Sequence, residues 1–229
     1  MNNPFGNVPS KSSNSAPKIY INLIQKSTEK DIKGGKPGKL YRSDTLEAAD
    51  SITGAVTFIT RKRVNRNDEG TRCYSPDAVI GKGKAGVHGI NEAFRSCDTC
   101  EYKQKEKMGK SPCMIYWWVV LNTPEGEEFV LEFRRSSYMV GNDIFSIVTS
   151  GDGMPWEKQI KISGKKVSNY FTFDVEEAGA TDPNQVASLT ARNKELKEEY
   201  DSSLYQLEAR VTETKEETVS LESDSDVPF

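Results

Sequence analysis

The chain has 229 residues, 35% hydrophobic and 28% charged, with a mean hydropathy of −0.64; that is polar for one compact domain and places part of the chain outside any core. No stretch approaches the ~20 apolar residues of a bilayer-spanning helix, and MNNPFGNVPSKSSNSAP lacks the basic and apolar regions of a secretory signal, so the chain reads as intracellular with no membrane partner. The net charge of −3 hides an asymmetry: 14 acidic against 5 basic residues from Glu176 onward, leaving 26 basic against 20 acidic on residues 1–175, a net of +6. A basic body with an acidic tail fits a polyanion-binding surface and a segment able to compete with that polyanion; a mixed surface with a solubilising tail is the plainer alternative.

Residues 1–17, rich in Asn, Ser, Pro and Gly, read as a disordered leader. KIYINLI from Lys18 is strand-like, Gly34–Lys39 is a basic loop, and Leu46–Ser51 a short helix. GAVTFITRKRV alternates as a strand with a basic far end. A loop-like block over about 67–113 holds all four cysteines. Strand signals resume at Met114–Leu121, turn through TPEGEE into Phe129–Arg135, and continue at Asp143–Thr149, Lys158–Ser163 and Val167–Val175, the last two joined by a tight turn at Gly164–Lys165. Short strands with almost no helix among them predict a mainly β fold, a small barrel or sandwich.

At Thr181 the pattern changes. Asp182 as N-cap, Pro183 at the first helical position and Gln185 in a capping-box position open a helix over 181–210. Its apolar spacing places Asn193 and Ser203 in the seam, which favours packing on the β domain over a coiled coil. Residues 211–229, dominated by Thr, Ser, Glu and Asp, read as a disordered tail.

Cys97-Asp98-Thr99-Cys100 is a C-x-x-C knuckle, with Cys73 24 positions before it and Cys113 13 after it. Four thiolates at about 2.3 Å from one Zn²⁺ make a closed structural site, which would fold an insertion poor in apolar residues. A redox C-x-x-C needs a βαβ setting that is not visible, and disulfides do not suit a chain without a secretory signal. The single histidine, His88, is an alternative ligand but reads as a loop residue.

Other motif matches fail on context. Gly81–Gly86 has the G-x-G-x-x-G spacing without the strand–helix unit that gives it meaning, and Gly34–Lys39 lacks the Ser/Thr of a P-loop. With one histidine and no paired carboxylates, the sequence argues against an enzyme and names no small-molecule substrate. Single-stranded nucleic acid, by contrast, needs only aromatic platforms and cations. The candidate platforms are Tyr116, Trp117 or Trp118, Tyr138, Trp156 and Tyr170. The candidate phosphate contacts are Arg61, Lys62, Arg63, Arg66, Arg134 and Arg135, with Lys103, Lys105, Lys107 and Lys110 beside the knuckle.

The sequence ends in SDSDVPF. Asp224, Asp226, Val227, Pro228 and Phe229 resemble the tail of bacterial single-stranded DNA-binding proteins, an acidic run closed by Pro-Phe. The layout as a whole is similar to phage-encoded members of that group, which join a basic OB-fold to an acidic tail, some with a zinc-stabilised insertion. The close match covers the final residues only, and serines make this run less acidic than the usual one. The resemblance implies an OB-like domain over 18–175 that binds single-stranded DNA in replication, recombination and repair. It also implies a tail that recruits partner proteins and competes for the DNA groove, and a location in the cytoplasm of a bacterial host. A zinc-ribbon adaptor binding proteins without useful DNA affinity is the other reading; a metal-assisted enzyme is a third.

Overall fold

The computed structural model describes residues 18–27, 32, 34–67, 70–83, 94–100 and 113–221; at 66, 67, 70–72, 82, 83, 94, 95 and 203–221 it describes the backbone alone. The fold is mainly β, with open sheets and one long helix towards the end of the chain. The described residues divide into two compact units, one drawn from 18–60 and 116–197, the other from 61–115 and 198–221. The boundary falls within β4 (Ser51–Asn67), β8 (Cys113–Asn122) and the long helix α2 (Pro183–Leu221).

In the larger unit the strand order is β3 (Ala48–Ala49), β2 (Leu40–Arg42), β1 (Tyr20–Leu23), β9 (Glu128–Arg134), β8, β4, with β10 (Lys158–Val167) joining β4 and β11 (Tyr170–Ala180) joining β10. β1 runs parallel to β9, Ile21 opposite Leu131, whereas β8–β9 and β10–β11 are antiparallel. Alternation along β8 and β9 sends Trp117, Val119, Leu121, Phe129, Leu131 and Phe133 to one face, where Ile144, Ile160 and Ile162 complete a core of side chains almost wholly removed from water. β11 pairs only with β10 among the described residues, and its outer edge is met by Gln25. The Gln25 amide donates to the Phe171 carbonyl at 2.8 Å and accepts from the Phe171 N–H at 3.2 Å, as a neighbouring peptide would.

Three local expectations are corrected. Residues Asp143–Thr149, expected as a strand, belong to helix α1 (Tyr138–Thr149). Its buried positions Val140, Ile144 and Val148 recur every fourth residue and lay one stripe on the sheet. The turn expected at Gly164–Lys165 lies instead at Ser168–Asn169, with Ser168 at φ 52°, and Gly164 stays inside β10. That glycine is needed because a Cβ there would overlap the Gly38 carbonyl oxygen: it marks a close backbone approach rather than a turn. Leu46–Ser51, expected helical, holds β3 and the first residue of β4.

Helix α2 opens as its capping residues dictate: Asp182 Oδ1 accepts from the Asn184 N–H at 2.9 Å. Gln185 does not close a capping box; its amide donates to the Pro124 carbonyl. Val186 and Leu189 pack on Ala55 and Trp156, Asn193 donates to the Thr57 carbonyl, and Arg192 clamps Glu128 with bonds of 2.7 and 2.9 Å. The first part of α2 is thus held to the sheet by an apolar stripe and a bidentate ion pair. It continues helical through residues 211–221, where disorder was expected; Glu and Lys are good helix formers, and composition weighed against a core does not weigh against a helix. No helix among the described residues is long and apolar enough to cross a membrane.

Helix α1 sits so close to the sheet that a Cβ on Gly141 would overlap the Trp117 ring. Gly141→Ala gains about 1 kcal/mol of helix propensity but forces apart two buried surfaces, at a typical cost of about 1–3 kcal/mol. The expected net result is a lowered melting temperature by circular dichroism; an unchanged or raised value would show that the helix can lift away freely.

Candidate functional site

The four cysteines all fall in the smaller unit. There the far end of β4 pairs antiparallel with β5 (Gly70–Ser75), β5 with β6 (Ile80–Gly83) and β6 with β7 (Phe94–Ser96). Asp77 builds the turn after β5: its Oδ1 accepts from the Val79 N–H at 2.8 Å, the Ile80 N–H at 3.1 Å and the Ser75 hydroxyl at 2.8 Å. The knuckle follows β7. Cys97 N–H donates to the Val79 carbonyl at 2.6 Å, and Ser96 Oγ accepts from the Asp98 N–H at 3.3 Å, so residues 97–99 turn back on β6.

The thiols border a common space. Where a Cβ on Gly81 would stand, Cys73 Sγ is 2.8 Å away, too close for a side chain, and Cys97 Sγ is 3.6 Å away, an ordinary contact. Cys100 packs against buried Cys113, and none of the four is joined in a disulfide. Among the described residues no three His, Cys, Asp or Glu side chains are drawn about one point tightly enough to hold a metal ion. By residue type the four sulfurs suit a soft or borderline cation such as Zn²⁺.

Arg63, expected as a phosphate contact, is a correction. It is only 7% exposed and lies opposite Ser75 in the β4–β5 pair. Burial pushes the Cys113 thiol up to about 11, against the pull of Arg63. Burial likewise raises Cys97, opposed by a hydrogen bond with Ser75 and by the Arg63 charge, while Asp77 adds to the rise. Asn65, 1% exposed and opposite Cys73, lies two residues along the same strand.

Four of the candidate aromatic platforms are corrected: Tyr116, Trp117 and Trp118 on β8 are buried, because both faces of that strand are covered, and Trp156 is buried against α2. Trp117 stacks on Phe145 of α1 at 5.5 Å between ring centroids, lies 6.2 Å from half-buried Tyr138, and donates through Nε1 to Asn142 Oδ1 at 2.9 Å. Trp118 meets Phe58 edge-on at 6.0 Å and carries the Lys18 ammonium 4.8 Å over its ring. Trp156 donates to Thr190 Oγ1 of α2 at 2.9 Å. Arg134 lies over Tyr116 at 4.9 Å and is ion-paired with Glu132, so its charge is engaged within the sheet.

Arg61, Arg135 and Tyr170 are exposed and Lys62 is half-buried. The Arg66 side chain, His88, Lys103, Lys105, Lys107, Lys110 and the tail residues Asp224, Asp226, Val227, Pro228 and Phe229 lie outside the described residues. The structure adds one grouping that strand alternation did not single out, the tip of the β10–β11 hairpin. There Lys165, Lys166 and Val167 stand exposed beside Tyr170, itself 44% exposed, and Lys165 reaches Asp174 at 3.3 Å. Its signal in the sequence was the Lys-Lys pair ahead of Tyr170 at a strand junction, obscured by setting the turn at Gly164. No protein-family model, curated protein or solved structure matches the chain.

Proposed function

We propose that this protein binds single-stranded DNA without sequence specificity, through an OB-like β domain carrying a structural zinc site, and recruits partner proteins through the acidic stretch ending in Asp224–Phe229. The observation that carries the reading is the division of charge: a net of +6 on residues 1–175 and −9 on residues 176–229, the acidic part closing in Asp-Val-Pro-Phe. The hairpin tip supports it in kind, since exposed Tyr170 offers a base a ring, with Lys165 on the same face, there paired with Asp174, and Lys166 on the other. No catalytic step belongs to this function. It would act in replication, recombination or repair, in the cytoplasm of a bacterial host.

Burial of the three tryptophans and Tyr116 favours the second reading, a zinc-bearing adaptor without DNA affinity, because it removes the strongest stacking groups from the surface. It also makes tryptophan fluorescence a poor reporter. The deciding measurement is the anisotropy of labelled oligo(dT), with a duplex of equal length as control, across a salt series. The expected result is single-strand preference of at least about tenfold, the equivalent of about 1.4 kcal/mol. A log–log salt slope of about 0.7 per phosphate contact should accompany it. Tyr170→Ala should weaken binding by about 1–3 kcal/mol, and removal of residues 224–229 should strengthen it. No binding to either DNA at low salt would leave the adaptor.

A further inference from the structure

We propose that the four cysteines form two thiol–disulfide switches, Cys73 with Cys97 and Cys100 with Cys113, closed by oxidised glutathione and reopened by the reduced form. The inference stands on where the sulfurs lie and does not use the zinc reading.

A C-x-x-C motif taken alone would join Cys97 to Cys100 and leave Cys73 and Cys113 over. The structure sorts the sulfurs differently. Cys73 Sγ and Cys97 Sγ approach one point beside Gly81, 2.8 and 3.6 Å from where a Cβ would stand. Cys100 packs directly against Cys113. Among the described residues no three His, Cys, Asp or Glu side chains gather about one point, so the arrangement is two pairs rather than a quartet. Each pair also joins a half-buried sulfur to a buried one, Cys73 to Cys97 and Cys100 to Cys113, and none of the four is in a disulfide. That asymmetry sets the order of events, because access decides which thiol meets an oxidant first.

The exchange balances within each pair. Cys73, as the thiolate, attacks one sulfur of oxidised glutathione; that disulfide breaks and one glutathione leaves as a thiol. Cys97 then attacks the Cys73 sulfur of the mixed disulfide, the Cys73–Cys97 bond forms, and the second glutathione leaves. Two electrons and two protons have passed from the pair to the oxidant. Cys100 and Cys113 repeat the sequence, with Cys100 attacking and Cys113 resolving. Cys73 lies on β5 and Cys113 opens β8, so the closed bridges tie the knuckle to a strand on either side. All four positions belong to the smaller unit, whose strands the bridges would fasten.

The test is non-reducing peptide mapping by mass spectrometry on the full chain as purified, equilibrated with glutathione at a series of oxidised-to-reduced ratios. Four cysteines allow three connectivities. The expected product has Cys73–Cys97 and Cys100–Cys113 in about tenfold excess over either alternative, equivalent to about 1.4 kcal/mol. Free thiols should fall from four to none and return on reduction. Cys97→Ser should trap glutathione on Cys73 while Cys100–Cys113 still closes. Cys113→Ser should trap it on Cys100 while Cys73–Cys97 still closes. A Cys97–Cys100 bridge as the main product, a scrambled mixture, or thiols that stay reduced at the highest ratio overturns the proposal. Should either variant fail to fold, the wild-type map decides alone.

Discussion

Trp117→Ala is expected to destabilise the larger unit by about 3–5 kcal/mol, the range for removing a large aromatic from a packed core. Trp117 is the point at which α1 is fastened to the sheet. Its ring stacks on Phe145, approaches Tyr138, leaves no room for a side chain at Gly141, and gives its N–H to Asn142. Alanine would open a cavity beneath the helix and leave Asn142 Oδ1 without that donor, and the two effects add to the lost apolar burial. Urea unfolding followed by far-ultraviolet circular dichroism should show the midpoint falling with little change in slope. Trp117→Phe should recover about half of the loss, since it restores most of the buried ring but not the hydrogen bond. A loss below about 1 kcal/mol would mean that α1 is held mainly by Val140, Ile144 and Val148.

The second large effect is expected if the proposed zinc ion is bound and is then removed. In the smaller unit the buried side chains among the described residues are Arg63, Val64, Asn65, Ser75, Pro76, Cys97 and Cys113, a set in which polar groups and sulfurs outnumber apolar ones. Apparent zinc-binding energies of about 10–16 kcal/mol in small zinc domains become folding energy where the site forms only on folding. Chelation should therefore raise hydrogen exchange sharply through β5, β6 and β7 while β8–β9 and α1 of the larger unit keep their protection. Adding Zn²⁺ back should reverse the change. If protein as purified contains no metal and exchange in β5–β7 is already slow, the strands are held by something other than zinc.

The strands with clear alternation were legible from the residues alone: β1, β4, β8, β9, β10 and β11 lie within a few residues of their expected places. Helix α1 was not, because MVGNDIFSIVT is dense in β-branched and aromatic residues and fits a strand window as well as a helix one. The fourfold recurrence of Val140, Ile144 and Val148 was present, but a glycine in the first turn counts against a helix until the Trp117 ring beneath it is known.

The candidate site shows the same limit. Period-2 alternation separates the two faces of β8 but does not say that α1 covers one and that Phe58 and Lys18 crowd Trp118 on the other. Nor does it separate Arg61 from Arg63, which share a face and differ only in what lies against them. The four cysteines of the knuckle and its outlying positions all fall in the smaller unit, Cys73 and Cys97 beside Gly81 and Cys100 against Cys113.

The Gln25 clasp bears on how this molecule behaves in a crowd. A terminal strand such as β11 exposes a row of backbone donors and acceptors, an invitation to any passing extended chain or second copy. By occupying both the N–H and the carbonyl of Phe171, one side-chain amide removes the rung on which such an intruder would first register. A further strand must then either break two hydrogen bonds to gain two or start beyond Phe171, past Asp174 and Glu176, already paired with Lys165 and Lys161 of β10, and exposed Glu177. A single glutamine thereby helps keep copies of this chain from zipping together edge to edge.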